Sequence, residues 1–335
     1  MSLPQAAFSS VRSEQRPARA VLTIATGKRV YFSMAINLAR SFKVWNDLEE
    51  IAFYIATDSD FPLPKDLSQI RLIRVPKGSL GAGFSAKLRL DQLAPADQTL
   101  FVDADCLCLG DLDRVFDAFS GRPVSVVGGQ ISQGEWFGDV ASVCARFGVP
   151  NLPKFNGGIY YLEPGPKAAA VYERARGLEP DYDTIGLVRL RGQPNDELLM
   201  AIALAIEGCS AVHDDGSIMG DLLSCQAVPE INVISGRALL RNPPAPDPLH
   251  QPWFPLQEVR PLVVHFLGHH VEGWRYRTEA LKLLLSGGFG ISPFVANLMG
   301  VAYSTPSRVV EHLKAALRPL VHRYVGVRGV RASVR

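Results

Sequence analysis

Cysteine is scarce in this chain, and what there is does not pair. Cys106, Cys108, Cys144, Cys209 and Cys225 are odd in number and show no C-x-x-C spacing, which argues against a disulfide framework. Free buried thiols in a reducing cytoplasm are the expectation. Long apolar runs are missing too. The longest, Leu198 to Ile206, is nine residues, far short of a membrane span. Residues 1–20 are polar and the apolar stretch at Val21 is short and strand-like, so no secretory signal is expected. Neither phosphate-loop fingerprint occurs: G-x-x-x-x-G-K-[ST] is absent, and the glycine-rich stretch 78–83 does not follow the first strand as a dinucleotide loop must. That stretch reads as a flexible connection.

What is present suits a globular protein with a substantial core. The chain has 335 residues, 47% hydrophobic and 20% charged, enough for one large α/β domain with extensions or for two small domains. Net charge is +2 but unevenly placed. Residues 305–335 carry seven Lys/Arg against one acid, Glu311, so the body sums to −4 and the tail to +6. No nucleic-acid partner is expected.

Residues 1–19 read as a loose lead-in. Strands are expected over Ala20–Thr26, Ile51–Thr57, Ile70–Val75, from Thr99 to an end at the Asp103 and Asp105 carboxylates, and over Pro123–Val127, Ile159–Leu162 and Pro261–Phe266, with helices over 30–43, 84–93 and 112–119 and from Asp196 onward. This is the pattern of a mainly parallel sheet covered by helices. Residues 129–154 read as an irregular lid, and 242–255, with six prolines, as loop. Over 307–324 a basic amphipathic helix kinked near Pro319 is expected, of the kind that either packs on the domain or lies on an anionic membrane. The divisions are 1–19, 20–280 for the main domain, and 281–335 for the helical extension.

The chemistry gathers at Asp103-Ala104-Asp105. In an extended segment residues i and i+2 face one side, so the two carboxylates can meet one hard cation, with the small Ala104 leaving room above them. Acidic pairs at strand ends are also common solvated turn residues. His265 lies on an apolar strand, where an imidazole is more often a hydrogen-bonded core group, but Gly268, His269 and His270 follow it. Asp196 and Glu197 open a helix, where acids also serve capping and the helix dipole.

Several motifs occur in one order: a helix bearing Lys87 and Arg89, then L-F-V-D-A-D-C-L-C-L-G-D-L, F-N-G-G-I-Y-Y-L-E-P-G, N-D-E-L-L-M, and V-V-H-F-L-G with Trp274 six residues past the Gly. Over roughly residues 20–277 this set resembles the GT-A fold glycosyltransferases of the retaining family 8 type, such as glycogenin and bacterial lipopolysaccharide galactosyl- and glucosyltransferases. The resemblance implies a Rossmann-like nucleotide-diphospho-sugar transferase fold. It implies a divalent metal, Mn²⁺ or Mg²⁺, on Asp103, Asp105 and His265, bridging to the diphosphate of a UDP-sugar. It puts Lys87 against sugar or phosphate, Asn156 and Asp196 near the donor sugar, Gly268 in the H-x-x-G turn, and Thr23, Ala25, Thr26 and Asp58 by the nucleobase.

Three departures matter. The family's Ser after Asn156 is Gly157, its Gln after Asp196 is Glu197, and its late Lys is missing, leaving His270, Arg275 or Arg277 to meet the diphosphate. The implied activity is hexose transfer with retention to a glycan or lipid-linked glycan, in the cytoplasm or at the inner face of the membrane. The alternatives are an inverting transferase with Glu197 or Asp196 as base, a D-x-D phosphotransferase, and a non-catalytic sugar-nucleotide-binding protein.

Overall fold

The computed structural model describes residues 16–81 and 83–325. Most of the expected lead-in, and residues 326–335 of the basic tail, lie outside them, as do the side chains of 312, 315 and 318–325. A six-stranded sheet forms the centre. Its strands are β1 (Arg19–Ile24), β2 (Ile51–Thr57), β3 (Arg71–Arg74), β4 (Gln98–Val102), β6 (Val124–Ser125) and β9 (Ile159–Leu162), with β5 (Cys106–Cys108), β7 (Val127–Ile131) and β8 (Leu152–Phe155) outside it. The order is β3-β2-β1-β4-β9-β6. β3, β2, β1 and β4 are parallel, and β9 runs antiparallel to both β4 and β6. The apolar β1, β2 and β4 are buried on both faces, as parallel strands under helices must be.

Register then places the chemistry. Arg19 pairs with Ile51 on one side of β1 and with Gln98 on the other, so β1, β2 and β4 end at one edge. On that edge the order turns from descending to ascending strand numbers at β1, which is where ligands bind in open α/β sheets. The helix Asp196–Ile206 crosses beneath, with Leu198 to Leu204 all buried; burial of each large side chain contributes roughly 1.5–3 kcal/mol. A second sheet joins Met219–Asp221 parallel to Val263–His265, and that strand antiparallel to β5.

The expected strand from Thr99 does end at the carboxylate pair, and a second short strand, β5, follows it. Asp103, Ala104 and Asp105 form a turn between β4 and β5, closed by the Cys106 amide donating to the Asp103 carbonyl at 3.0 Å. Residues 129–154 are ordered rather than irregular. β7 and β8 pair, and the helix Val140–Phe147 between them is capped by Asp139, whose carboxylate accepts from the Ser142 amide, and stopped by Gly148 in left-handed conformation. At the C-terminus the helix expected over 307–324 is part of a longer one, Pro293–Val325. All five cysteines are free, and all but Cys209 are buried.

Candidate active site

The turn after β4 brings two carboxylates under an imidazole. His265 Nε2 lies 3.1 Å from Asp105 Oδ1 and 3.8 Å from Asp103 Oδ2. Its other nitrogen, Nδ1, is 3.0 Å from Asn156 Oδ1. Asn156 Oδ1 also accepts from the Gly158 amide at 2.9 Å, and its amide nitrogen donates to Asp221 Oδ2 at 3.3 Å. Asn156 therefore presents an oxygen to the ring, so Nδ1 carries hydrogen and Nε2 faces the carboxylates. This is the second-layer arrangement that orients a metal-ligating histidine.

Burial works against a charged His265, yet the Asp105 carboxylate overrides it and raises the imidazole to about 9. The pocket thus favours a positive charge at Nε2. A divalent cation would supply one there, and two carboxylates with one imidazole fit such an ion. The donor atoms of Asp105, Cys106 and His265 all lie within 4.8 Å of one another. Cys106, strand partner of His265, was not foreseen in this cluster. Burial, reinforced by the carboxylates of Asp105 and Asp103, pushes its thiol well above the ordinary value. It is therefore a neutral packing group and a poor ligand for a hard cation.

Lys87 comes in from the opposite side on the 3₁₀ segment Gly83–Arg89. Its amino group donates to Asp103 Oδ2 at 2.7 Å and to the Gly157 carbonyl at 2.8 Å, and stands 3.8 Å from Asp196 Oδ2. Burial would discharge it, but Asp103 and Asp196 keep it ionised, with its pKa raised. Asp196, 2% exposed, also accepts from the buried Tyr160 hydroxyl at 2.5 Å. Glu197 Oε1 accepts from the Gly157 amide at 2.7 Å. Burial and the adjacent Asp196 push Glu197 up to about 7.

Two of the departures from the family pattern touch one another. A Cβ on Gly157 would lie 3.1 Å from Asp196 Oδ2 and from Glu197 Cγ, so the bare residue leaves Glu197 its room. Gly158 is more tightly constrained. A Cβ there would meet His265 Nδ1 at 2.6 Å and the Met219 sulfur at 2.9 Å.

Lys87, Asp103, Asp105, Asn156, Asp196, Glu197 and His265 thus share one site. The other expected residues lie around it, along the same sheet edge or on the late segment. Thr23 is sealed at 0% exposure, and Ala104, between the two carboxylates, turns its methyl into the core. Ala25 is buried beside the half-buried Thr26, and Asp58 accepts from the Gly27 amide at 2.9 Å, tying the ends of β1 and β2. Arg89 donates to the carbonyls of Leu80 and Ser85. Arg275 is committed to Glu311 at 2.8 Å and stacks on Trp274, while Arg277 is exposed on the helix Trp274–Leu283. His270 stacks on His269 and lines a cavity of about 1190 Å³ beneath the C-terminal helix.

Asp221 was not foreseen. It pairs with His265 across the parallel strands, and accepts from the Leu223 and Ser224 amides and the Ser224 hydroxyl as well as from Asn156. The D-x-x-S spacing is a local capping signal, but nothing in it points to residue 156 or 265.

No protein-family model matches the sequence, and no curated protein matches it. Solved structures do. The galactosyltransferase LgtC, solved in complex with donor and acceptor sugar analogues, aligns over 74% of this chain and 87% of its own at 14% identity, with a TM-score of 0.50. The bifunctional glycosyltransferase WbbM aligns over 76% of this chain and 46% of its own at 12% identity, TM-score 0.47. GlyE of Streptococcus pneumoniae TIGR4 aligns over 59% and 45% at 14% identity, TM-score 0.41. The chain thus spans less than half the length of GlyE and WbbM. Its mixed, mainly parallel sheet with flanking helices is the GT-A fold found in glycosyltransferase structures.

Proposed function

We propose that the protein is a metal-dependent glycosyltransferase that moves a hexose from a UDP-sugar to a hydroxyl of a glycan or lipid-linked glycan, with retention of configuration. The observation that carries this reading is the convergence of Asp103, Asp105 and His265 at the carboxyl edge of the parallel strands. These three residues would hold Mn²⁺ or Mg²⁺, which when bound neutralises the leaving diphosphate as a Lewis acid. The chain's own groups do the rest. Lys87 holds Asp103 in place and adds positive charge beside it. Asn156 fixes the His265 ring. Asp196, held by Tyr160, and Glu197, held by the Gly157 amide, line the sugar side.

In the retaining course the acceptor hydroxyl attacks from the face that the diphosphate leaves, and a phosphate oxygen takes its proton. No protein base is then needed, and Glu197, which holds a proton up to about pH 7, stands in for the family's Gln. The inverting alternative makes Glu197 the base.

The acceptor side includes a surface suited to lipid. No helix among the described residues is long and apolar enough to cross a membrane. On the C-terminal helix, however, Phe294, Leu298, Val309 and Leu313 are exposed on the side away from the buried Ala296 and Ser304, while Arg308 and Lys314 turn toward the body and line the cavity beneath the helix. An exposed apolar stripe suits an interfacial helix, and the seven Lys/Arg of residues 305–335 would draw it to an anionic bilayer. The test of the activity is UDP release from a panel of UDP-sugars with Mn²⁺, which Asp105→Ala is expected to abolish.

A further inference from the structure

Among the described residues, two of the cations expected at the diphosphate end of the site are already engaged. Lys87 is taken by Asp103, and Arg275 by Glu311. His270 has its pKa lowered, by burial first and then by His269 and Arg275. A nucleoside diphosphate arriving at Asp103 and Asp105 would bring several negative charges to a place that already holds two carboxylates.

The loop before the Asp196 helix supplies a further cation. Leu190 and Gln193 exchange backbone hydrogen bonds at 2.9 and 3.0 Å. The two residues between them, Arg191 and Gly192, have φ of 53° and 76°. A two-residue turn with both centres at positive φ prefers Asn, Asp or Gly at its first centre. An arginine there works against the local preference. Such exceptions gather where a side chain is needed for function.

Neighbours fix where that side chain goes. The Val188 amide donates to the Phe137 carbonyl at 2.8 Å and the Tyr182 hydroxyl to the Val188 carbonyl at 2.9 Å, which anchors the loop at its start. Asn195, which caps the next helix through the Glu197 amide, anchors its end. Between the anchors, Gln193 packs 3.1 Å from the Cβ position of Gly83, at the head of the Lys87 segment. Arg191 reaches the opposite wall, its guanidinium nitrogen 3.4 Å from the Cβ position of Gly268, three residues past His265. The loop therefore runs as a strap from the Lys87 side to the His265 side. Among the described residues, no carboxylate pairs with Arg191.

We infer that Arg191 binds the diphosphate of the donor nucleotide, taking the place of the lysine missing from the late motif. This rests on the donor reading above. A guanidinium suits the role, being permanently charged and able to meet two phosphate oxygens at once. It also makes the 187–194 loop part of the binding site, bearing on phosphate from one side while Gly268 forms the other.

The test is calorimetric titration of UDP, UMP and uridine, each with Mn²⁺, into the wild type, Arg191→Gln and Arg191→Gly. Loss of a charge-assisted contact predicts about 10–100-fold weaker UDP binding in both variants, with uridine unchanged and UMP affected less than UDP. Arg191→Gly separates this from damage to the fold. Glycine relieves the positive φ, so its melting temperature should equal or exceed the wild-type value while UDP affinity falls. If wild type binds UDP and both variants bind it within about twofold, Arg191 has no such role. Equal losses for UDP and uridine would also overturn it, marking a structural residue. If the wild type with Mn²⁺ binds no UDP, the donor reading falls and this inference with it.

Discussion

At Gly158 a single hydrogen atom decides whether the imidazole can sit where it does. The Gly158 carbonyl accepts from the Asp103 amide at 2.9 Å, and its Cα faces the His265 ring. Gly158→Ala would drive a methyl into His265 Nδ1 and the Met219 sulfur. We expect it to cost roughly 1–3 kcal/mol of stability, as overpacking does, and to weaken Mn²⁺ binding because the ring must turn. Denaturant melts and a Mn²⁺ titration check the two halves; unchanged metal affinity would mean the ring does not ligate.

Glu197 sets a second test at the same scale. Its carboxyl is raised from the ordinary 4.5 to about 7. Between those values the folded chain holds a proton that the unfolded chain has released, so this group's contribution to stability falls as pH rises, and its full penalty stands above pH 7. Glu197→Gln removes the ionisation. Its melting temperature should match wild type near pH 5 and exceed it at pH 8. In the retaining reading the amide also keeps turnover within about tenfold and the product keeps the donor's α configuration, whereas loss of a general base costs about 10²–10⁴-fold. A β-linked product from an α-linked donor would decide for inversion.

At the scale of elements, the site is an assembly of chain ends. Asp103 and Asp105 come from the β4–β5 turn, Asn156 from the residue after β8, His265 from a strand pairing with β5, and Asp196 from a helix start. The first carboxylate pair, His265 and the helix-opening acids were legible because each sits in a short motif with a chemical reason. Asp221 and Arg191 were not. Asp221 gains its meaning only from the parallel pairing that sets it beside His265. Arg191 gains its meaning from a turn whose fit to Gly268 no spacing reveals. The order within 129–154 is not legible in the sequence because its helix is short and its glycines mask the β7–β8 pairing.

The C-terminal helix carries its own prediction. Arg275 and Glu311 tie it to the body, and Arg308 lies over the Trp274 ring at 5.6 Å. Its outward stripe remains apolar. The full chain should float with vesicles containing anionic lipid, and a chain ending at Ser304, which loses Val309, Leu313 and the basic residues beyond, should float less. Equal flotation would leave the helix a packing element only.

At the scale of the whole molecule, the sheet order explains why these residues meet at all. β1 lies between β2 and β4 with all three parallel, so their carboxyl ends form one edge and Thr26, Asp58 and Asp103 all follow strands on it. The mainly parallel sheet was readable from the β-branched strand runs and the helical spacing between them. The antiparallel return of β9 beside β4, which carries Asn156, Gly157 and Gly158 to the carboxylates, is a matter of long-range pairing and was not. The central claim is that Asp103, Asp105 and His265 form one metal-dependent donor site. The most direct measurement is UDP release from UDP-sugars by chelator-treated protein, with and without added Mn²⁺, for wild type and Asp105→Ala. The account predicts release by wild type only when Mn²⁺ is restored, and none by Asp105→Ala under either condition. Metal-independent release, or full activity in Asp105→Ala, would contradict it.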